Sequence, residues 1–208
     1  MKRRLSPQPH TGSLQNTDPT RARPALQGYG LNRKELDELD TLVHLRHRAP
    51  GVFITNLPYP ELAFYAANAK SFRNVIGVSE RNQAVFGETV SGSAPEQIQV
   101  AFATSNYFAE FGIVPASGRL LTPDDERRDA GPVALIGELF WQMRLGGDPS
   151  VIGQSIRVNG KLVRVVGVMP RSTRARFGLW MPLVRQPYES TAASSSPSGI
   201  PRWMYMRA

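Results

Sequence analysis

The sequence predicts an α+β fold, a mixed α/β domain of short antiparallel strands, hairpins and a few short helices. Three observations lead there. β-branched and aromatic residues cluster in short runs between residues 75 and 168, separated by polar or Ser-Gly-Ser-Ala-Pro punctuation. Asn159-Gly160 lies between valine-rich runs, a strong hairpin signal. The helix signals in between are brief and closed by glycine or proline.

In chain order, residues 1–30 hold Pro7, Pro9, Pro19 and Pro24 among polar and basic residues, too little apolar surface to offset the entropy of ordering, and are expected to be disordered. Asn32 is a possible N-cap for an amphipathic helix over Arg33 to Arg48, part of a segment 31–49 set apart from the rest. In it Leu36, Leu39, Leu42, Val43 and Leu45 recur at roughly helical spacing, with acids early and His44, Arg46, His47 and Arg48 late. Pro50-Gly51 ends it, and Pro60 opens a second helix, Glu61 to about Ser71.

Strands follow at Val75–Glu80, Ala84–Val90 and Gln97–Ala103, read as a meander in which Gly87 marks a bulge. Ser105 or Asn106 caps a short helix burying Tyr107, Phe108 and Phe111, with Gly112 at its end. Thr122-Pro123-Asp124-Asp125 joins a hydroxyl cap, a first-position proline and two carboxylates at the positive end of a helix dipole. Pro132–Ile136 reads as a buried strand. Glu138–Leu145 reads as a helix with Leu139, Phe140 and Met143 facing the core, Trp141 a further candidate, stopped by Gly146-Gly147.

In the hairpin, Val158 facing Lys161 puts Ile156 opposite Val163 and Val165 on the same side, so Arg157 and Arg164 point the other way, to solvent. Leu179–Leu183 is a further strand, Ser190–Ser198 a low-complexity linker, and Arg202–Met206 the beginning of another strand.

Composition limits function. The 208 residues contain no cysteine, which removes disulfides, thiolate metal sites and cysteine nucleophiles. No window approaches the roughly 18 to 20 consecutive apolar residues of a membrane span, and Met1 to Pro7 lacks a signal-peptide core. The net charge of +8 is segmented: 9 basic and 5 acidic residues in 1–48, 7 and 11 in 49–156, 9 and 1 in 157–208. The centre is therefore acidic.

Candidate chemistry is weak at each point considered. Asp124, Asp125, Glu126 and Asp129 could be imagined around a hard cation, but their place after Thr122-Pro123 favours helix capping. His44 and His47 lack a further ligand, with His10 far away in sequence. Arg171, Arg174 and Arg176 with Phe177 could track phosphates, although a solvated loop is the better reading. Tyr107, Phe108, Phe111, Phe140 and Trp141 could line an apolar site, but their density reads as core. No phosphate loop, dinucleotide fingerprint, nucleophile elbow or His-Glu-x-x-His pattern occurs. No catalytic residue, cofactor or metal is expected.

A collinear series of motifs carries a resemblance. It comprises Leu57-Pro-Tyr-Pro-Glu61, Lys70-Ser-Phe72, Thr104-Ser-Asn-Tyr-Phe108 with Gly112, Pro115-Ala-Ser-Gly-Arg-Leu-Leu-Thr-Pro-Asp-Asp125 and Pro132-Val-Ala-Leu-Ile136. It continues through Phe140-Trp141, Gly146-Gly-Asp-Pro-Ser-Val-Ile-Gly153, Ile156-Arg-Val-Asn-Gly160, Val165-Val-Gly-Val-Met-Pro170 and Trp180-Met-Pro-Leu183. From Leu57 to Met206 the chain resembles the periplasmic core domain of MacB-type ABC transporter permeases of the FtsX-like superfamily.

The resemblance implies a partial core domain, residues 53–208, C-terminally truncated, in a family whose permeases carry one transmembrane helix before it and three after. It implies a non-catalytic domain on the extracytoplasmic side of the cell membrane. Its role would be to couple an ABC-type ATPase subunit to export or mechanotransmission, with other permease segments and a second permease copy as partners and no nucleic acid. The residues it singles out are structural: Tyr107, Phe108, Gly118, Arg119, Trp141, Gly153, Asn159, Gly160, Gly167, Pro170 and Trp180. Two alternatives stand beside it: a permease remnant without independent function, and a free-standing basic module that binds nucleic acid.

Overall fold

A computed structural model describes residues 59–87, 94–171 and 178–186, together with the backbone of strands 42–45, 47–49, 52–54 and 202–207. The elements in chain order are β1 (Leu42–Leu45), β2 (His47–Ala49), β3 (Val52–Ile54), α1 (Tyr59–Asn68), β4 (Asn74–Phe86), β5 (Glu96–Ala103), α2 (Tyr107–Glu110), β6 (Ser117–Gly118), β7 (Val133–Gly137), α3 (Glu138–Arg144), β8 (Ser155–Val158), β9 (Lys161–Met169), β10 (Leu179–Pro182) and β11 (Arg202–Arg207). Short 3₁₀ turns occupy Pro123–Glu126, Pro149–Val151 and Leu183–Arg185.

The α+β class holds: helices are few and short, and strands dominate. The main sheet runs β1-β11-β4-β5-β10-β7-β9-β6, and β8 pairs with both β9 and β4. Through β8 the order β4-β5-β10-β7-β9-β8 returns to β4, making a closed ring of six strands whose last seam is the antiparallel pair Phe86↔Val158. Most neighbours are antiparallel, but β10 with β5 and β7 with β9 are parallel. These parallel pairs join segments distant in sequence, so local alternation carries no sign of them.

Alternation along the strands divides the core. Val100, Phe102, Ile136, Ile156, Val163 and Leu179 belong to one buried cluster, to which all six ring strands contribute. Ala101, Ala103, Leu135 and Trp180 point to the opposite face, where Tyr107, Phe108 and Phe111 of the α2 region cover them. The hairpin has the register read from its residues: Ile156↔Val163 and Val158↔Lys161.

The predicted helix 33–48 is not one at its C-terminal end, because Leu42–Leu45 and His47–Ala49 are strands. The segment Leu42–Leu45 finds a backbone partner, Arg207 to Met204 on β11, and that long-range pairing overrides the local helical spacing. The helix start, residues 33–41, and the disorder expected for 1–30 lie outside the described residues, as does the linker 190–198.

The two strands expected at 75–80 and 84–90 are a single strand, β4, whose irregularity falls between Ser79 and Asn82 and not at Gly87. There Asn82 donates to the Ser79 carbonyl at 2.9 Å, and the buried Gln186 donates to Ser79 Oγ at 2.8 Å and Asn82 Oδ1 at 3.1 Å. Polar side chains thus occupy the interruption in the ladder. Helix α3 buries no residue fully. Phe140, Trp141 and Leu145 pack against the core, and Met143, about 200° around the helix from Trp141, is exposed.

Candidate functional site

The motif residues gather into three constructions on the ring. The first is aromatic. Trp180 on β10 stacks on Tyr107 with centroids 5.5 Å apart and meets Phe108 edge-on at 5.4 Å, and all three are buried. Neither Ser105 nor Asn106 caps α2 through its side chain. Instead Asn106 Nδ2 donates to the Val75 carbonyl at 3.0 Å, Thr104 Oγ1 accepts from the Gly77 amide at 3.1 Å, and the Ser105 amide donates to Glu126. This loop therefore binds α2 to β4 and to the turn at Pro123–Glu126. Tyr107, Phe108 and Phe111 are buried in the core.

The second construction is a buckle at Gly118–Asp125. Gly118 pairs with Gly167 across β6 and β9. A Cβ on Gly118 would lie 2.5 Å from the Val166 carbonyl oxygen, and one on Gly167 would lie 2.5 Å from that of Arg119. Gly118 also has φ +74°, so glycine is required twice over. The next residue, Arg119, forks onto Asp125 with Nη1–Oδ2 2.6 Å and Nη2–Oδ1 2.9 Å. Thr122 adds its amide at 2.8 Å and its hydroxyl at 2.9 Å to the same carboxylate. Burial acts to raise the Asp125 pKa, but the bonds from Arg119 and Thr122 outweigh it and hold the carboxyl below its ordinary value. Its neighbour Glu126 goes the other way, raised by burial despite the Ser105 bond.

The third construction is the seam. Asn159 (φ +48°) and Gly160 (φ +76°) form the left-handed turn that the Asn-Gly pair predicts. Asn159 also acts outside its hairpin: its amide donates to the Val85 carbonyl at 2.8 Å, and its Oδ1 accepts from the Val85 amide at 2.7 Å. Gly87 N–H donates to the Arg157 carbonyl at 3.1 Å beside it. The side chain of Asn159 thus substitutes for a strand residue and closes the ring.

The remaining motif residues support these three. Trp141 Nε1 donates to the Asp148 carbonyl at 2.9 Å, tying α3 to the loop before β8. Gly153 (φ +90°) turns that loop and donates to the Val165 carbonyl at 2.8 Å. Half-buried Pro170 follows β9. An open groove of about 290 Å³ lies between the buckle and this turn, lined by Gly118, Arg119, Ile152, Gly153, Arg164 and Val166.

Three of the acidic residues near Thr122-Pro123 have separate partners: Asp125 holds Arg119, Glu126 accepts from Ser105, and exposed Asp129 pairs with Arg127 at 2.8 Å. Among the described residues no three His, Asp or Glu side chains converge as metal ligands. His44 and His47 lie on β1 and β2, with side chains outside the described set, as are His10, Arg174, Arg176 and Phe177. The Arg171 amide donates to Glu138 at 2.8 Å. Residue reading missed the side-chain roles of Asn106, Glu126 and Gln186, since nothing in their local pattern names a partner so far away in sequence.

No helix among the described residues is long and apolar enough to cross a membrane. Residues 27–207 match the family described as MacB-like periplasmic core domain. The chain belongs to that family, whose members are extracytoplasmic domains of ABC transporter permeases. Its fold is similar to the periplasmic region of MacB from Actinobacillus actinomycetemcomitans, with TM-score 0.58, 15% identity and coverage of 85% of this chain and 80% of that one. It is also similar to the extracellular domain of the noncanonic ABC-type transporter YknZ from Gram-positive bacteria, with TM-score 0.53, 13% identity and coverage of 80% and 81%. No curated protein matches the chain.

Proposed function

We propose that this domain is a non-catalytic coupling element: a stiff extracytoplasmic body that carries motion driven by an ABC-type ATPase subunit outward from the membrane during export or mechanotransmission. The observation that carries this reading is the stapled six-strand ring, in which Asn159 fastens the β8–β9 hairpin to β4. A body that transmits displacement must deform less than it moves, and a closed ring with buried side chains on both strand faces meets that need. The ATPase, the other permease segments and a second permease copy are its proposed partners, with hydrolysis confined to the ATPase.

The test is a permease containing this domain, reconstituted with its ATPase in vesicles, with Asn159→Gly introduced. This substitution keeps the turn and the backbone bond to Val85 and removes the side-chain half of the staple. The expected result is intact ATP hydrolysis with less transport per ATP. Hydrolysis and transport falling in strict proportion would overturn the coupling role.

A further inference from the structure

We propose that the outer face of the β8–β9 hairpin and the adjoining groove form a docking surface for an acidic segment of another protein, anchored by one large apolar side chain. The cross-strand pairs Arg157↔Leu162 and Ser155↔Arg164 lie on the side of the hairpin opposite buried Ile156 and Val163. They leave Leu162 58% exposed. Arg164 continues this face into the groove, which Ile152, Val165 and Val166 also line.

Charge settles the chemistry of the occupant. Arg119, which also lines the groove, is paired with Asp125, whereas Arg157 and Arg164 form no ion pair among the described residues, and no carboxylate lines the groove. Among the described residues the face therefore presents two arginines without a carboxylate partner beside exposed Leu162, complementary to carboxylates flanking an apolar residue. The groove, about 290 Å³, falls at the lower limit of small-molecule pockets and suits a single large side chain. Two arginines, of which Arg157 also donates to the Gly160 carbonyl at 3.2 Å, are too few to track a polyanion or hold a membrane, which takes clusters of about four to eight basic residues. This inference rests on the face alone and stands whether or not the domain couples ATP hydrolysis to transport.

A display library of random heptapeptides, panned against the immobilised 208-residue chain and in parallel against its Arg164→Glu and Leu162→Ser variants, tests it. Both positions are exposed, and the near-ultraviolet circular dichroism of the buried aromatic cluster checks that each variant is folded. The expected result is enrichment of peptides with several carboxylates around one large apolar residue. A synthetic representative should bind roughly tenfold more weakly to Arg164→Glu and lose affinity as salt rises, with a smaller loss for Leu162→Ser. Neutral or basic enriched peptides, or binding indifferent to Arg164→Glu, would overturn the proposal. So would capture of phosphatidylglycerol vesicles without enrichment of acidic peptides, which would assign the face to lipid headgroups instead.

Discussion

Adjacent residues Asp125 and Glu126 respond to pH in opposite senses. Asp125 has its folded pKa lowered, so its contribution to stability is present above the ordinary carboxyl range and is lost as pH falls through the folded value. Glu126 has its folded pKa raised, so its contribution is complete below the unfolded value and is lost as pH rises through the folded one. Urea unfolding across about pH 3 to 7 should separate them. Asp125→Asn should flatten the acid-side loss, and Glu126→Gln should flatten the decline toward neutrality. If either variant keeps the parent's full profile, the assignment for that residue is wrong.

Backbone contact gives a second residue-scale expectation. At Gly167 a methyl group would meet the carbonyl oxygens of Arg119 and Ser117, neither of which can rotate away. Gly167→Ala should cost about 1–3 kcal/mol, measured as a shifted urea midpoint. Gly118→Ala should cost more, since its positive φ adds about 1–2 kcal/mol. The sequence marks both glycines through the family motif, but that they face one another is a property of the β6–β9 pairing, and no local pattern near Ser117 announces a two-residue strand.

Among the elements, legibility follows the distance between partners. The β8–β9 hairpin is readable to its register because turn and partner strands lie within a few residues, and Asn-Gly admits few geometries. The segment Leu42–Leu45 is not, since its apolar spacing fits a helix equally well and the strand that claims it is Arg202–Arg207, at the far end of the chain. The role of Asn159 falls between these cases: the turn is local, the staple is not. Asn159→Gly should preserve the turn and cost about 1–2 kcal/mol for the lost acceptor, with faster hydrogen exchange at the Val85 amide. Asn159→Ala should cost more, because it also puts a Cβ at positive φ. Equal stability of the two variants would show that turn strain is unimportant here.

At the scale of the molecule, the motif residues among the described ones are spread through packing and turn positions, which is why motif order pointed to the family while chemical motifs did not. The ring unites strands that the chain visits out of spatial order, so a change at one side reaches the other through closely packed side chains. Rigidity of this kind can be measured directly. The chain contains no cysteine, and Val114 and Met143 are 73% and 62% exposed, one beyond α2 and the other on α3. Spin labels at Val114→Cys and Met143→Cys, in a permease otherwise free of cysteine, report the separation of these two sides by double electron–electron resonance. A coupling body that moves as a unit should keep one narrow distance distribution in the nucleotide-free and ATP-bound transporter, while either label changes its distance to a reporter in the membrane-spanning part. If the internal distance shifts between nucleotide states, motion is absorbed within the ring, and the domain acts as a deformable element and not as a lever.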